Sequence, residues 1–243
     1  MSDDINPYTA PNSSDFGQSP PHTGSIVPTV VDAGSIISYA MEVWKANLKL
    51  LVGITAVFLG LTVGQYIFNA ILEQLGQGLI SVLLAVGISI VSSAISIFLG
   101  IGQAQITLKL LRGQAAQFGD LFAGGPLFLP VLGASLLAGL AVWVGLMACV
   151  VPGLLLILLF WPFYWLVVDQ KTGVFESFGV AFSIAKVNAG TSIILMLVSL
   201  GIMLLGFIAL GIGLLFAAPL VGMITGTAYL MMAGLLAPTS RPM

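Results

Sequence analysis

The chain has 243 residues, of which 58% are hydrophobic and 7% charged, with a mean hydropathy of +1.12 and a net charge of -2. Soluble domains carry roughly 25% charged residues, so this composition excludes a water-soluble globular protein and describes an integral membrane protein. The 7 Lys and Arg are too few and scattered to form a nucleic-acid surface or a polybasic lipid patch. Cys149, the one cysteine, excludes an intrachain disulfide and a cysteine-based metal site and reads as a small packing residue.

Residues 1–33 hold five of the 12 prolines, the one histidine (His22), and clusters of Ser, Asp, Asn and Gly. Such a segment buries too little apolar surface to fold, and a disordered tail is expected. No Lys or Arg precedes Lys45, so the tail lacks the basic start of a secretory signal and is expected to stay attached. Asn12-Ser13-Ser14 matches a glycosylation acceptor, a pattern too short to carry weight.

From residue 34 to 236 the sequence describes one six-span membrane domain, all-α, built as three hairpins with amphipathic elbow helices. An elbow at 35–47 places Ser35, Ser38, Glu42 and Lys45 on its polar face. Leu50 to Leu72 is 23 residues without charge, enough to cross a hydrocarbon core of about 30 Å. Gly76 and Gly78 make the turn to a second span at 79–106. From Leu127 to Val168 no charge occurs for 42 residues, about twice what one crossing needs. This stretch must fold back, and Pro152-Gly153 is the expected breaker between spans at 127–151 and 154–168. Trp161, Pro162, Phe163, Tyr164 and Trp165 mark an interfacial exit ending at Asp169 and Lys171.

A second elbow, 174–187, sets Val174, Phe178, Ala181, Phe182 and Ala185 against Glu176, Gly179, Ser183 and Lys186, the pattern of a helix lying along a membrane surface. Spans at 189–212 and 218–236 follow, with Gly211, Gly213 and Pro219 marking their turn, and 237–243 is a short tail. With the N-terminus cytoplasmic, Lys45, Lys49, Lys109, Arg112, Lys171, Lys186 and Arg241 all fall inside, and the three outer turns carry no positive charge. Both termini are therefore expected in the cytoplasm, with Glu73 the one acidic side chain outside.

Laying Ser35–Asn47 on Glu176–Asn188 aligns Ala40 with Ala181, Lys45 with Lys186 and Asn47 with Asn188, and matches the two polar faces. The repeat unit reads as elbow, span, span, and QFGDLF at 117–122 is a candidate degenerate middle copy. Amphipathic helices also resemble one another without common origin.

Polar residues form stripes inside the first two spans. Thr55, Thr62, Gln65, Asn69 and Glu73 share one helical face, as do Ser89, Ser93, Ser96 and Gln103 on the second span. Two readings stand: a polar path for a solute, or a packing seam in which Gln65 or Asn69 hydrogen-bonds across the hairpin. The seam is favoured, because no intramembrane ionisable residue accompanies the stripes. Gly60–Gly64 and Gly222–Gly226 are GxxxG pairs suited to helix packing.

No catalytic motif occurs: there is no HExxH, GxSxG or phosphate-binding GxxxxGK[ST]. No catalytic, cofactor-binding or metal-ligating residue is expected, and the chain reads as a non-enzyme. Asp120, Asp169, Glu176 and Lys186 lie at the inner interface, where they would contact lipid headgroups or cap helix ends.

Pro152-Gly153, LVVD at 166–169, Gly173, Glu176, Ser183, Asn188, Gly213, Ala218-Pro219-Leu220 and Tyr229 together resemble a family of six-span bacterial membrane domains of unknown function. That family is similar to the membrane domain of some glycerophosphodiester phosphodiesterases and to its stand-alone relatives. The resemblance covers about residues 35–236 and implies a multi-pass bacterial inner-membrane protein. No phosphodiesterase domain accompanies it in this sequence, so catalytic activity is not implied. Two classes of function remain: a membrane scaffold or assembly factor with lipid and membrane-protein partners, and a transporter or channel for a small neutral or amphipathic solute.

Overall fold

The computed structural model describes residues 26–74, 78–209 and 211–237. The tail up to residue 25, with His22 and Asn12, lies outside the described residues, as do Gly76 and Arg241. Within them the chain is an all-α bundle, and six helical stretches are long and apolar enough to cross a membrane.

A surface helix, α1 (Ala33–Ala46), turns directly into the first span, α2 (Leu48–Gln74), and α3 (Leu79–Leu111) returns. Two 3-10 turns at 118–127 lead into α4 (Phe128–Ala148), followed by α5 (Val150–Phe160) and α6 (Phe163–Val168), which form one span bent at Pro162. Then come the second surface helix, α7 (Val174–Val187), and the last two spans, α8 (Ala189–Ile208) and α9 (Leu214–Met232). The elbows, the starts of α2, α4 and α8, and the ends of α3, α6 and α9 share one end of the bundle, here the elbow end. The opposite end, with the tight connections, is the turn end.

The elbow-end stops of α3, α6 and α9 are built alike. Each has a left-handed residue after its last turn: Gly113 at φ 71, Gln170 at φ 54 and Gly234 at φ 72. The next amide reaches back five residues, Gln114 N–H to Lys109 O, Lys171 N–H to Leu166 O, and Leu235 N–H to Leu230 O. This satisfies carbonyls that a helix end otherwise leaves open. Glycine suits that conformation, so Gln170 holds it at a steric cost.

The centre of the bundle is α9, whose apolar residues encircle the helix as they do in the other spans. Met223, Ile224 and every residue from Gly226 to Ala233 are buried, and α1, α2, α3 and α8 pack around them. Of the two elbows, α1 is tucked against α9 with Ile36, Ala40 and Val43 buried. On α7, Ser177, Ala181, Ile184 and Ala185 turn inward, while Phe175 and Phe182 stay exposed. Phe178 stacks on Phe163 at 5.4 Å and meets Phe160 edge-on at 5.2 Å.

Three expected boundaries move. The break between the third and fourth spans is Cys149, extended at φ -172 and ψ 150 and exposed rather than packed. Pro152 and Gly153 sit in the first turn of α5, where proline's missing donor costs nothing. Gly153 serves close approach to α4: a Cβ there would collide with the Leu146 side chain and backbone. Pro219 lies inside α9 rather than in the preceding turn, which Gly211 makes at φ 76. Finally, residues 26–32, expected to be disordered with the rest of the tail, run extended over α9 and α8. Val27 N–H donates to Ala233 O at 3.2 Å and Thr29 N–H to Met232 O at 2.9 Å. The polar composition of residues 1–33 as a whole misleads here, because 26–32 is itself rich in Ile and Val and Asn188 and Thr191 supply further bonds that hold it in place.

The two elbow-to-span corners match closely. Asn47 (φ -116, ψ 21) and Asn188 (φ -115, ψ 29) each end an elbow. Each donates its side-chain amide to the carbonyl four residues back, Val43 O at 2.9 Å and Ile184 O at 3.1 Å. Each carbonyl then receives the first backbone bond of the following span. The segment at 117–122 differs, forming a 3-10 turn capped by Asp120 instead of an elbow.

Candidate functional site

Helix ends bring charged side chains together at the elbow end. Arg112, at the cap of α3, places Nη2 2.7 Å from Oδ2 of Asp169, at the cap of α6. The same oxygen accepts a 2.9 Å hydrogen bond from the hydroxyl of Tyr229 on α9. The Asp169 side chain is 6% exposed and Arg112 22%, so their attraction is weakly screened by solvent. Trp165 lies parallel to the Tyr229 ring at 6.4 Å, and Gly226 leaves room for Trp165, Thr107 and Leu111. Tyr39 of α1 donates to Leu111 O at 2.7 Å. Burial, with Glu42 adding to it, raises the Tyr39 pKa and keeps the phenol protonated as a donor. Four helices are thereby locked to one another.

Beside this cluster, Lys109 Nζ meets Asp120 Oδ1 at 2.9 Å, and Asp120 Oδ2 accepts from Gln117 N–H at 2.9 Å. Glu176 approaches Gly173 N–H at a long 3.5 Å in the first turn of α7, and Lys186 is exposed in its last turn. The four interfacial candidates therefore do not converge on one headgroup site. Asp169 and Asp120 bind helices together, and Glu176 sits where it caps one. Among the described residues no three His, Cys, Asp or Glu side chains gather.

The intramembrane stripes occupy the open part of the molecule. Thr62 and Ser93 return their hydroxyls to Phe58 O and Ser89 O of their own helices. Among the described residues no hydrogen bond joins Gln65 or Asn69 to α3, so the expected cross-hairpin bond is not made. Ser89 and Ser93 instead line a lateral groove of about 500 Å³ with Phe128 and Leu132 of α4. Ser96 is exposed, and Gln103 sits apart, half-buried nearer the elbow end. Gly60 and Gly64 meet no other helix, whereas Gly226 of the other glycine pair is in the packed core.

Sequence reasoning missed a second polar place. Ser192, Ser199 and Thr225 line a cavity between α8, α9 and Trp161. The seven-residue spacing of Ser192 and Ser199 was a legible signal, of the same kind that exposed the stripes on α2 and α3.

Comparison with protein families, curated proteins and solved structures finds no match to this chain.

Proposed function

We propose that the chain is a non-enzymatic scaffold of a bacterial inner membrane, with elbows and both termini on the cytoplasmic side, that receives another membrane protein on the open faces of α2 and α3. The observation that carries this reading is the pair of amides at Gln65 and Asn69. Both are half-buried on a helix with no buried residue from Ala56 to Ile71, and neither has a hydrogen-bond partner among the described residues. Polar groups in hydrocarbon are costly unless paired, and side-chain amides commonly find that pair on another membrane helix. The engaged state of Arg112, Asp169, Lys109 and Asp120 supports a structural role for the elbow end. The motif resemblance to the phosphodiesterase-associated membrane domains supports the bacterial inner membrane. Transport along the stripes is favoured less, because Ser89 and Ser93 face the groove against α4 rather than Gln65 and Asn69.

A photocrosslinking residue at Tyr66, irradiated in native membranes, is expected to give a discrete protein adduct that Gln65→Leu with Asn69→Leu weakens. An adduct with lipid alone, as expected for a crosslinker at Leu197, together with solute flux in proteoliposomes that the double variant abolishes, would favour transport instead. For orientation, cysteines are placed in a Cys149→Ser background. One at Gly78 is expected to react with an impermeant thiol reagent in intact cells, and one at Ser183 to resist it.

A further inference from the structure

Ser192 and Ser199 share one face of α8, about 5 and 15 Å from its elbow-end start. That face meets α9 and the bend at Pro162, and between them lies a cavity of about 260 Å³ bounded by Trp161, Ser192, Leu195, Ser199, Thr225 and Ala228. No charged residue lines it. Serine and threonine inside helices usually return their hydroxyl to a carbonyl one turn back. Here Thr55, Thr62, Ser93, Thr107, Ser183 and Thr225 all do so.

Ser199 does not: its Oγ is closed to solvent and has no hydrogen-bond partner. Ser192 Oγ accepts from Trp161 Nε1 at 3.2 Å, which leaves its own hydrogen to donate. A buried hydroxyl without a partner is costly, and Ser199 belongs to the wall of a largely apolar space.

We propose that this cavity binds an uncharged amphiphile with a single hydrocarbon chain, one of whose oxygens, a hydroxyl or carbonyl, pairs with Ser199 and Ser192. The uncharged wall disfavours carboxylates and phosphates, whose desolvation nothing there would offset. Leu195 and Ala228 disfavour polyols, whose further hydroxyls would be left unpaired. Water alone suits the space poorly. About eight waters would fit, each wanting two to four polar partners, and three hydroxyls line the wall. The site is separate from the α2 and α3 faces and does not rest on the scaffold reading.

The test uses the full chain in phosphatidylcholine nanodiscs, titrated with a diazirine-bearing fatty alcohol, photolysed and mapped by mass spectrometry. Saturable labelling around Ser199 is expected, displaced by unlabelled fatty alcohol but not by an alkane of equal length. Ser199→Ala should weaken apparent affinity about three- to tenfold, the worth of one hydrogen bond. Met196→Trp, which fills the cavity from its 38% exposed edge, should remove labelling while the thermal unfolding midpoint stays unchanged. Should that variant unfold, Ala228→Leu fills the same space from α9. Ser93→Ala, outside the cavity, should alter nothing. Labelling that does not saturate, or that survives both the Ser199 and the filling variant, overturns the proposal. Equal labelling by a diazirine phosphatidylcholine that the alcohol cannot displace also overturns it, since the occupant would then be a tail of the surrounding bilayer.

Discussion

The two ends of this bundle solve the same packing problem differently. At the elbow end, α9 is buried from Gly226 through Ala233, and the helices around it are joined by an ion pair, a tyrosine hydroxyl and a ring stack. Toward the turn end of the first hairpin, no residue of α3 from Leu79 to Phe98 is buried. In a bilayer the second arrangement carries no hydrophobic penalty, because lipid tails are as apolar as the side chains they touch. Close packing of small residues helps decide where helices associate, and so do polar contacts. Arg112, Asp169 and Tyr229 supply them at one end, whereas Thr62 and Ser93 spend theirs on their own backbone.

The largest test removes one partner of the buried pair. Asp169→Ala strands the Arg112 guanidinium, and loss of a buried partner costs about 3–5 kcal/mol. The thermal unfolding midpoint of the purified protein should fall steeply. Replacing Arg112 and Asp169 together by Leu should cost less than the single change, because no uncompensated charge remains.

Next in size is a charge placed within the aromatic contact of α7. Phe178→Asp disrupts packing on Phe160 and Phe163 and should cost about 2 kcal/mol or more. Ser183→Asp on the exposed side should be tolerated. Comparing the yields of membrane-inserted protein decides between them, and equal losses would mean that both sides of α7 are packed.

A smaller test compares the two corners. Asn188 bonds to Val31 N–H, Thr29 O and Ile184 O, whereas Asn47 bonds to Val43 O. At about 1 kcal/mol per hydrogen bond, Asn188→Ala should destabilise by about 2–3 kcal/mol and Asn47→Ala by about 1 kcal/mol. Limited proteolysis should also cut near Thr29 faster in the Asn188 variant.

The smallest expected effect is at the open end. Gln65→Leu with Asn69→Leu should move the unfolding midpoint of the isolated chain little, since even an interhelical polar contact averages only about 0.6 kcal/mol in a membrane. A large loss would show that these amides pair within the chain.

The sequence by itself determined the all-α membrane class, the six apolar stretches and the second elbow at 174–187. These follow from local quantities: run length against bilayer thickness, and the period of apolar residues along one helix. The asparagine corners were visible too, as the alignment of Asn47 with Asn188.

Other features depended on which helices meet. Nothing local distinguishes α9 from the other apolar spans, yet it became the core. Pro152, Gly153 and Pro219 looked like turn residues, but proline is compatible with a first helical turn, as at Pro152, and glycine with close helix contact, while Pro219 stands in the interior of α9. Asp169 read first as a solvated or helix-capping residue and second as a headgroup contact, and folding brought it to Arg112 across 57 residues and to Tyr229 across 60. The segment 26–32 borders a polar tail although it is itself rich in Ile and Val, and Asn188, Thr191, Met232 and Ala233, far along the chain, complete its hydrogen bonds. Such long-range pairings have no period or length that marks them in sequence, so tertiary structure alone decided them.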